Sequence, residues 1–272
     1  METSPTLPGA VDASELKLCC AVAYQSEWAR LLLGESFHPG GLALTERLGA
    51  LLGLGPGQRV LDVAAGQGAS AIFLAQRFGC AVLGVDYGGD SVRQATEAAE
   101  RAGVAHLVRF EQGDAERLPV ADAAFDALIC ECAFCTFPDK RAAASEFGRV
   151  LRPGGRVGLS DLTRSGPVPD DLQGLLAWIA CIADAQPLDQ YERYLQEAGL
   201  TVDLIEPCDA ALSSLVQEIR ARLLGAELLV KLKKIVLPTA NFEQARALAR
   251  AAAEAVRAGT FGYAILTAMK PG

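Results

Sequence analysis

Apolar residues in this chain fall into short blocks separated by longer amphipathic stretches. Blocks at residues 60–63, 81–85, 107–111, 125–132, 156–161 and 201–205 are short and rich in apolar residues and read as strands. Residues 260–268 alternate and read as a seventh strand closing the sheet. Between them, apolar spacing of three and four predicts helices at 13–33, 42–54, 69–75, 90–102, 141–151, 188–198, 210–235 and 241–258. Punctuation agrees. Pro39-Gly40-Gly41 ends the first helix region, Arg152-Pro153-Gly154-Gly155 forms a turn before the fifth strand, and Gly199 is placed as a C-cap. Residues 1–12, with Pro5, Pro8 and Gly9, read as a loose end. Strands alternating with helices imply a parallel sheet with right-handed crossovers.

Two segments stand outside this alternation. Residues 1–54 read as an N-terminal helical cap, and residues 55–272 as the main domain with an insertion at about 163–187. In the insertion, Leu172, Leu175, Leu176, Ile179 and Ile182 share a core-facing side, while Gly174, Trp178 and Cys181 share a second side. A helix with two usable faces beside the carboxyl edge of a sheet is placed like a lid.

The first strand ends in Asp62-Val63-Ala64-Ala65-Gly66-Gln67-Gly68 and leads into a helix. Strand, glycine turn, helix is the local plan of a nucleotide-binding βα unit, with backbone N–H groups free at the helix start. Gly66 and Gly68 lack a Cβ and accept positive φ, so a ligand can approach the backbone closely. A tight structural turn is the other reading. Asp86 closes the second strand about 20 residues past the loop, where a carboxylate accepts ribose hydroxyls.

Composition narrows the class. At 272 residues and 51 % hydrophobic content, the chain supplies an ample core. A net charge of −8 argues against an extended nucleic-acid surface. There is neither a basic-then-apolar leader nor an uninterrupted apolar run of about 18 residues, so the expectation is a cytoplasmic protein without a membrane span. Eight cysteines in a reducing compartment are buried, metal-binding or catalytic rather than a disulfide frame.

The order acid, small residue, glycine, glycine in the first loop resembles motif I of class I S-adenosylmethionine (SAM) methyltransferases. Asp86, the Gly113-Asp114-Ala115 segment after the third strand, and the Val150-to-Gly155 turn match further motifs of that family in order. The resemblance implies a doubly wound, Rossmann-like α/β sheet with an antiparallel last strand and SAM as cofactor. It also implies a cofactor-binding set of Asp62, Ala64, Gly66, Gly68, Asp86, Tyr87, Asp114, Ala115, Glu116 and Glu131, with Asp114 accepting from the adenine amino group. Asp114 read alone is a turn or N-cap residue.

The acceptor is written in the inserted pieces. Tyr24, Trp28, Phe134 and Phe137 offer π faces to a sulfonium, or pack in the core. His38 reads as a surface turn residue or, alternatively, a general base. Cys130 and Cys132, two residues apart on the fourth strand, are expected to point to the same face. Cys132-x-x-Cys135 is half a zinc site with no second half; inert buried thiols are the plain alternative.

The stretch from Ile129 to Lys140, together with Arg149–Gly155 and Ser160-Asp161, resembles the arsenite methyltransferase family. That resemblance places arsenic on Cys132 and Cys181. Cys19 or Cys20, on the N-terminal helix, is the candidate for a third sulfur. Ala71 stands where many members carry a cysteine, Glu131 stands in place of an Asn, and the helices beyond residue 209 have no counterpart there. The leading expectation is methylation of a thiol-bound metalloid, with an external thiol as reductant. A methyltransferase of an organic small molecule and a non-catalytic SAM or metalloid sensor are the competing readings.

Overall fold

The computed structural model describes residues 12–25, 34, 38–172, 182, 184–232, 234 and 241–272. Seven strands form one sheet in the order β3-β2-β1-β4-β5-β7-β6. The strands are β1 (Arg59–Val63), β2 (Ala81–Asp86), β3 (Val108–Gln112), β4 (Phe125–Glu131), β5 (Leu151–Arg164), β6 (Thr201–Pro207) and β7 (Phe261–Met269). Strands β1 to β5 pair in parallel, and β7 runs antiparallel to both neighbours. The chain leaves β1 in one direction through β2 and β3, then crosses to the other side with β4. The crevice at such a reversal is where open α/β sheets bind ligands.

Both faces of the sheet are covered at its centre, so β1, β4 and β7 are buried on both faces, while the outer strands β3 and β6 are partly exposed. Helices α2 (Gly41–Leu51), α3 (Ala69–Phe78), α4 (Gly89–Arg101), α7 (Asp209–Lys231) and α8 (Phe242–Arg257) contribute to one core, with Leu48, Leu74 and Ile129 at its centre. Helices α5 (Lys140–Val150) and α6 (Leu188–Glu197) pack on the other face through Phe147, Tyr191 and Leu195, against Leu61, Leu128 and Leu159. Helix α1 (Ala13–Gln25) lies outside both. Even β7, which the sequence pattern reads as alternating, is buried on both faces over most of its length.

Local chemistry sets the ends of the elements. Helix α3 starts at Gly68 and stops at Gly79, both left-handed, with φ of 83° and 69°. Asp139 caps α5 by accepting from the Ala142 amide. The expected free turn at Arg152–Gly155 lies instead within β5. Leu151 pairs with Phe125 as soon as α5 ends, and Pro153-Gly154-Gly155 is absorbed as an irregularity in the ladder. In the insertion, Leu172 and Ile182 are buried as expected; Leu175, Leu176 and Ile179 lie outside the described residues. Its far end is anchored by Asp184, which pairs with the buried Lys140 ammonium.

The glycine loop is also a packing device. The Phe110 ring is wedged between β2 and the start of α3: a Cβ on Gly84 would fall 2.4 Å from it, and one on Gly68 2.5 Å. Gly84→Ala is expected to destabilise the fold by about 1–3 kcal/mol through overpacking. The check is a lower urea midpoint with an unchanged m value.

Candidate active site

The carboxyl ends of β1, β2 and β4 and the loop after β3 open onto one cavity, closed on a further side by α1. Along the glycine loop, Ala64 and Gly66 adopt left-handed φ of 60° and 54°. The Ala65 amide bonds to the Val85 carbonyl at 3.1 Å, tying the loop to β2. Asp86 clamps both sides of the cleft: its Oδ2 accepts from the Gly66 amide at 2.8 Å and its Oδ1 from the Gly88 amide at 2.9 Å. Burial pushes the Asp86 carboxyl up, against those amides and the Ser91 hydroxyl, which hold it down.

Asp62 is 3 % exposed. It accepts from the Ala71 amide, while its Oδ2 has no hydrogen-bond partner. Burial, then the charges of Glu131 and Asp86, push its pKa well above the usual carboxylate range. Glu131, at the end of β4, is held by hydroxyls: Ser70 donates at 2.7 Å and Thr45 at 3.0 Å to its Oε2. His38 stands 3.6 Å away through Nε2, which is 3.3 Å from Thr45 Oγ1. His38 is therefore not a surface residue. The turn before α2 folds inward, leaves it 7 % exposed and sets it in the cavity wall.

The loop after β3 presents Gly113, Asp114 and Ala115 to the cavity. Asp114 Oδ2 lies 2.8 Å from the Lys17 ammonium of α1, and Asp114 Oδ1 accepts from the Glu116 amide at 3.0 Å. Tyr87 and Ala64 also line the cavity; Gly68, Glu116 and Cys19 do not. Gly68 caps α3 and makes room for Phe110, and Glu116 is held between Lys17 and the Asp139 amide.

Cys20 and Cys132 both line the cavity and are half-buried. The expectation that Cys130 and Cys132 share a face fails. The strand ends at Glu131, and Cys132 takes a left-handed φ of 51°. That turn sends its side chain toward the core on the α3 side, whereas Cys130 is fully buried on the α5 side. Burial, followed by the charges of Asp161 and Asp62, pushes the Cys130 thiol well up, as in an inert core cysteine. Cys135 is buried as well, and its amide donates to Asp161 Oδ2 at 2.9 Å. Among the aromatic candidates, Tyr24 and Phe137 line the cavity and Phe134 is a core residue. Cys181, Trp28, Gly174 and Trp178 lie outside the described residues. Sequence reasoning missed Lys17, Thr45 and Ser70 as parts of the site. Lys17 was accessible in principle, because it shares a helix face with Cys20 and Tyr24.

Residues 60–155 match the methyltransferase domain family. A methyltransferase of Streptomyces halstedii, GfsG, is 30 % identical over 234 residues, spanning 85 % of this chain and 81 % of that protein. The chain belongs to the SAM-dependent methyltransferases. This methyltransferase is also 35 % identical to an arsenite methyltransferase of Halobacterium salinarum over 163 residues, 59 % of this chain and 41 % of the other. A 27-O-demethylrifamycin SV methyltransferase of Amycolatopsis mediterranei is 34 % identical over 174 residues, 60 % of this chain and 61 % of the other. The same fold is found in a Haemonchus contortus phosphoethanolamine N-methyltransferase, solved with S-adenosylhomocysteine (TM-score 0.81, 19 % identity, 98 % and 62 % coverage). It is found too in the [4+2]-cyclase SpnF (TM-score 0.76, 22 % identity, 97 % and 98 % coverage).

The methyltransferase cavity suits its cofactor chemically. An unpartnered buried carboxylate oxygen on Asp62 fits a cationic group. A Cβ built on Gly66 meets no protein atom within 4 Å, so the loop backbone is open to the cavity it lines.

Proposed function

We propose that this methyltransferase transfers the methyl group of SAM to a soft, thiol-bound centre, most simply trivalent arsenic. The observation that carries the reading is the presence of two thiols, Cys20 from α1 and Cys132 after β4, in the wall that also holds Asp62, Asp86 and Glu131. Soft thiolates select thiophilic centres. Cys181, matched by the arsenite methyltransferase resemblance, supplies a further sulfur from the insertion.

In this reading Asp86 takes the ribose hydroxyls, Asp62 and Glu131 face the ammonium of the amino-acid end, and Asp114 accepts from the adenine amino group. Ala64, Gly66, Tyr87 and Ala115 shape the contact surface. The bound cofactor supplies an electrophilic methyl on a sulfonium. The chain's own residues orient the acceptor, keep water out and offer the Tyr24 and Phe137 rings to the positive charge. The test is turnover with SAM, trivalent arsenic and an external thiol, read by mass spectrometry. Methylated arsenic is the expected product. SAM binding without any turnover makes the protein a sensor and sinks the proposal.

A second reading, methylation of an organic small molecule, draws on the match to GfsG along most of both chains. It predicts turnover with an uncharged organic acceptor and none with arsenic, the thiols then serving as small apolar wall residues.

Both readings share a pH signature. Burial holds Asp62 and Asp86 above the usual carboxylate range, so each keeps its proton to a higher pH than an exposed acid. The cofactor's ammonium and hydroxyls favour the ionised forms, so SAM binding releases protons. Affinity falls as pH drops through the raised pKa values. Calorimetry in two buffers of different ionisation enthalpy should show this release, growing as pH falls toward the raised pKa values. Proton uptake on binding overturns the assignment.

A further inference from the structure

Helix α1 rests on a cavity rather than on a core. Leu16 is the one fully buried residue of its described side chains. Lys17, Cys20, Ala21 and Tyr24, spaced as one helical face, line the cavity. Leu18 and Val22, on the far side, are 57 % and 58 % exposed. An element with so little apolar burial sits at the low end of local stability.

A polar contact ties it to the cavity rim. The Lys17 ammonium, 14 % exposed, lies 2.8 Å from Asp114 Oδ2 and 2.5 Å from Glu116 Oε2. Its two carboxylate partners are themselves fixed. Asp114 is bonded to the Glu116 amide, and Glu116 Oε1 accepts from the Asp139 amide at 2.8 Å. Asp139 caps α5. The carboxylate side of the contact is therefore anchored to the body of the protein, and α1 is the side free to part from it. The hydrogen bonds and charges of the two acids raise the Lys17 pKa against the desolvation that lowers it, so the ammonium stays charged through neutral pH.

We infer that α1 is a lid on the cofactor cavity and that Lys17 is its latch, a positioning residue whose paired contact with Asp114 and Glu116 opens before S-adenosylhomocysteine leaves. The inference rests on the chain being a SAM methyltransferase and not on the identity of the acceptor. It assigns Lys17 two tasks at once. The residue presents Cys20 and Tyr24 to the acceptor side, and it holds Asp114 at the adenine side. The two contacts, at 2.8 and 2.5 Å, lie well inside the screening length of about 8–10 Å at physiological ionic strength, so salt weakens this latch only modestly.

The experiment is stopped-flow displacement of S-adenosylhomocysteine from the full chain. Lys17→Met should release it roughly fivefold faster or more, and Lys17→Arg should stay within about twofold of wild type, since a guanidinium bridges two carboxylates. Amides of residues 13–25 should exchange faster in Lys17→Met. Wild-type release should accelerate between about 50 mM and about 500 mM KCl, and that dependence should flatten in Lys17→Met. Release from Lys17→Met within about twofold of wild type, or an arginine variant as fast as the methionine variant, overturns the latch. If Lys17→Met does not fold, Lys17→Gln, which keeps a polar head without the charge, is measured in its place, and release within about twofold of wild type overturns the latch.

Discussion

Gly66→Val is expected to abolish SAM binding while the protein stays folded. A Cβ at this position meets no protein atom within 4 Å beyond its chain neighbours, so the root of a side chain there displaces nothing in the fold. Gly66 lines the cavity, so the added methyls crowd the surface proposed to hold the cofactor. The backbone there has φ of 54°, which costs an L-residue about 1–2 kcal/mol. For a chain of this size that lowers the thermal midpoint by roughly 2–4 °C per kcal/mol. Calorimetry should detect no SAM binding in the variant, with circular dichroism close to wild type. Retained affinity would place the cofactor elsewhere. The companion Asp86→Ala should weaken SAM by about 2–3 kcal/mol, the scale of a lost charge-assisted bond. It also frees the Gly66 and Gly88 amides that the carboxylate holds.

Cys132→Ser should remove arsenic binding and methylation while leaving SAM affinity within about twofold of wild type, because a protonated hydroxyl is a hard, weak ligand for a thiophilic centre. The substitution is nearly isosteric and inherits the left-handed backbone that aims the thiol, so lost activity reports chemistry rather than misfolding. Cys20→Ser and Cys181→Ser should act in the same direction. Cys208→Ser is the control, since Cys208 opens α7 away from the cavity. Full arsenic turnover in Cys132→Ser ends the metalloid reading. If the wild type methylates only organic acceptors, Cys132→Ser becomes a mild change in a cavity wall.

The fold was legible wherever sequence neighbours carry the pattern. Val60, Leu61 and Val63, and Ala127 to Cys130, are apolar because helices cover both faces of the sheet, so the acids near the carboxyl ends of those strands, Asp62 and Glu131, stand out. Asp86 is legible for the same reason. What escaped depends on contacts between distant residues. His38 is buried because Thr45 and Glu131 meet it from α2 and β4, and no local feature of Phe37-His38-Pro39-Gly40 announces that meeting. Lys17 looks like a solvated helix charge until Asp114, 97 residues away, comes within reach. The separation of Cys130 from Cys132 hangs on one dihedral, the positive φ at Cys132, which residue spacing does not encode. Gly68 and Glu116 sit in motif positions but act behind the wall, one as packing space for Phe110 and the other as an anchor for Lys17.

The strand order has a consequence for biosynthesis. β7 is the last strand to be translated, yet it lies between β5 and β6 and bonds to both. Until residues 261–269 emerge, β5 presents an unpaired edge along much of its length and β6 has no sheet to join. A nascent chain that has already completed its cofactor-facing strands therefore carries an open, aliphatic edge, including Val157 and Leu159, through the interval in which α7 and α8 are made. Translational pausing within α7 or α8 lengthens that interval, so synonymous changes in those helices bear on the yield of active enzyme even though they alter no residue of the cavity.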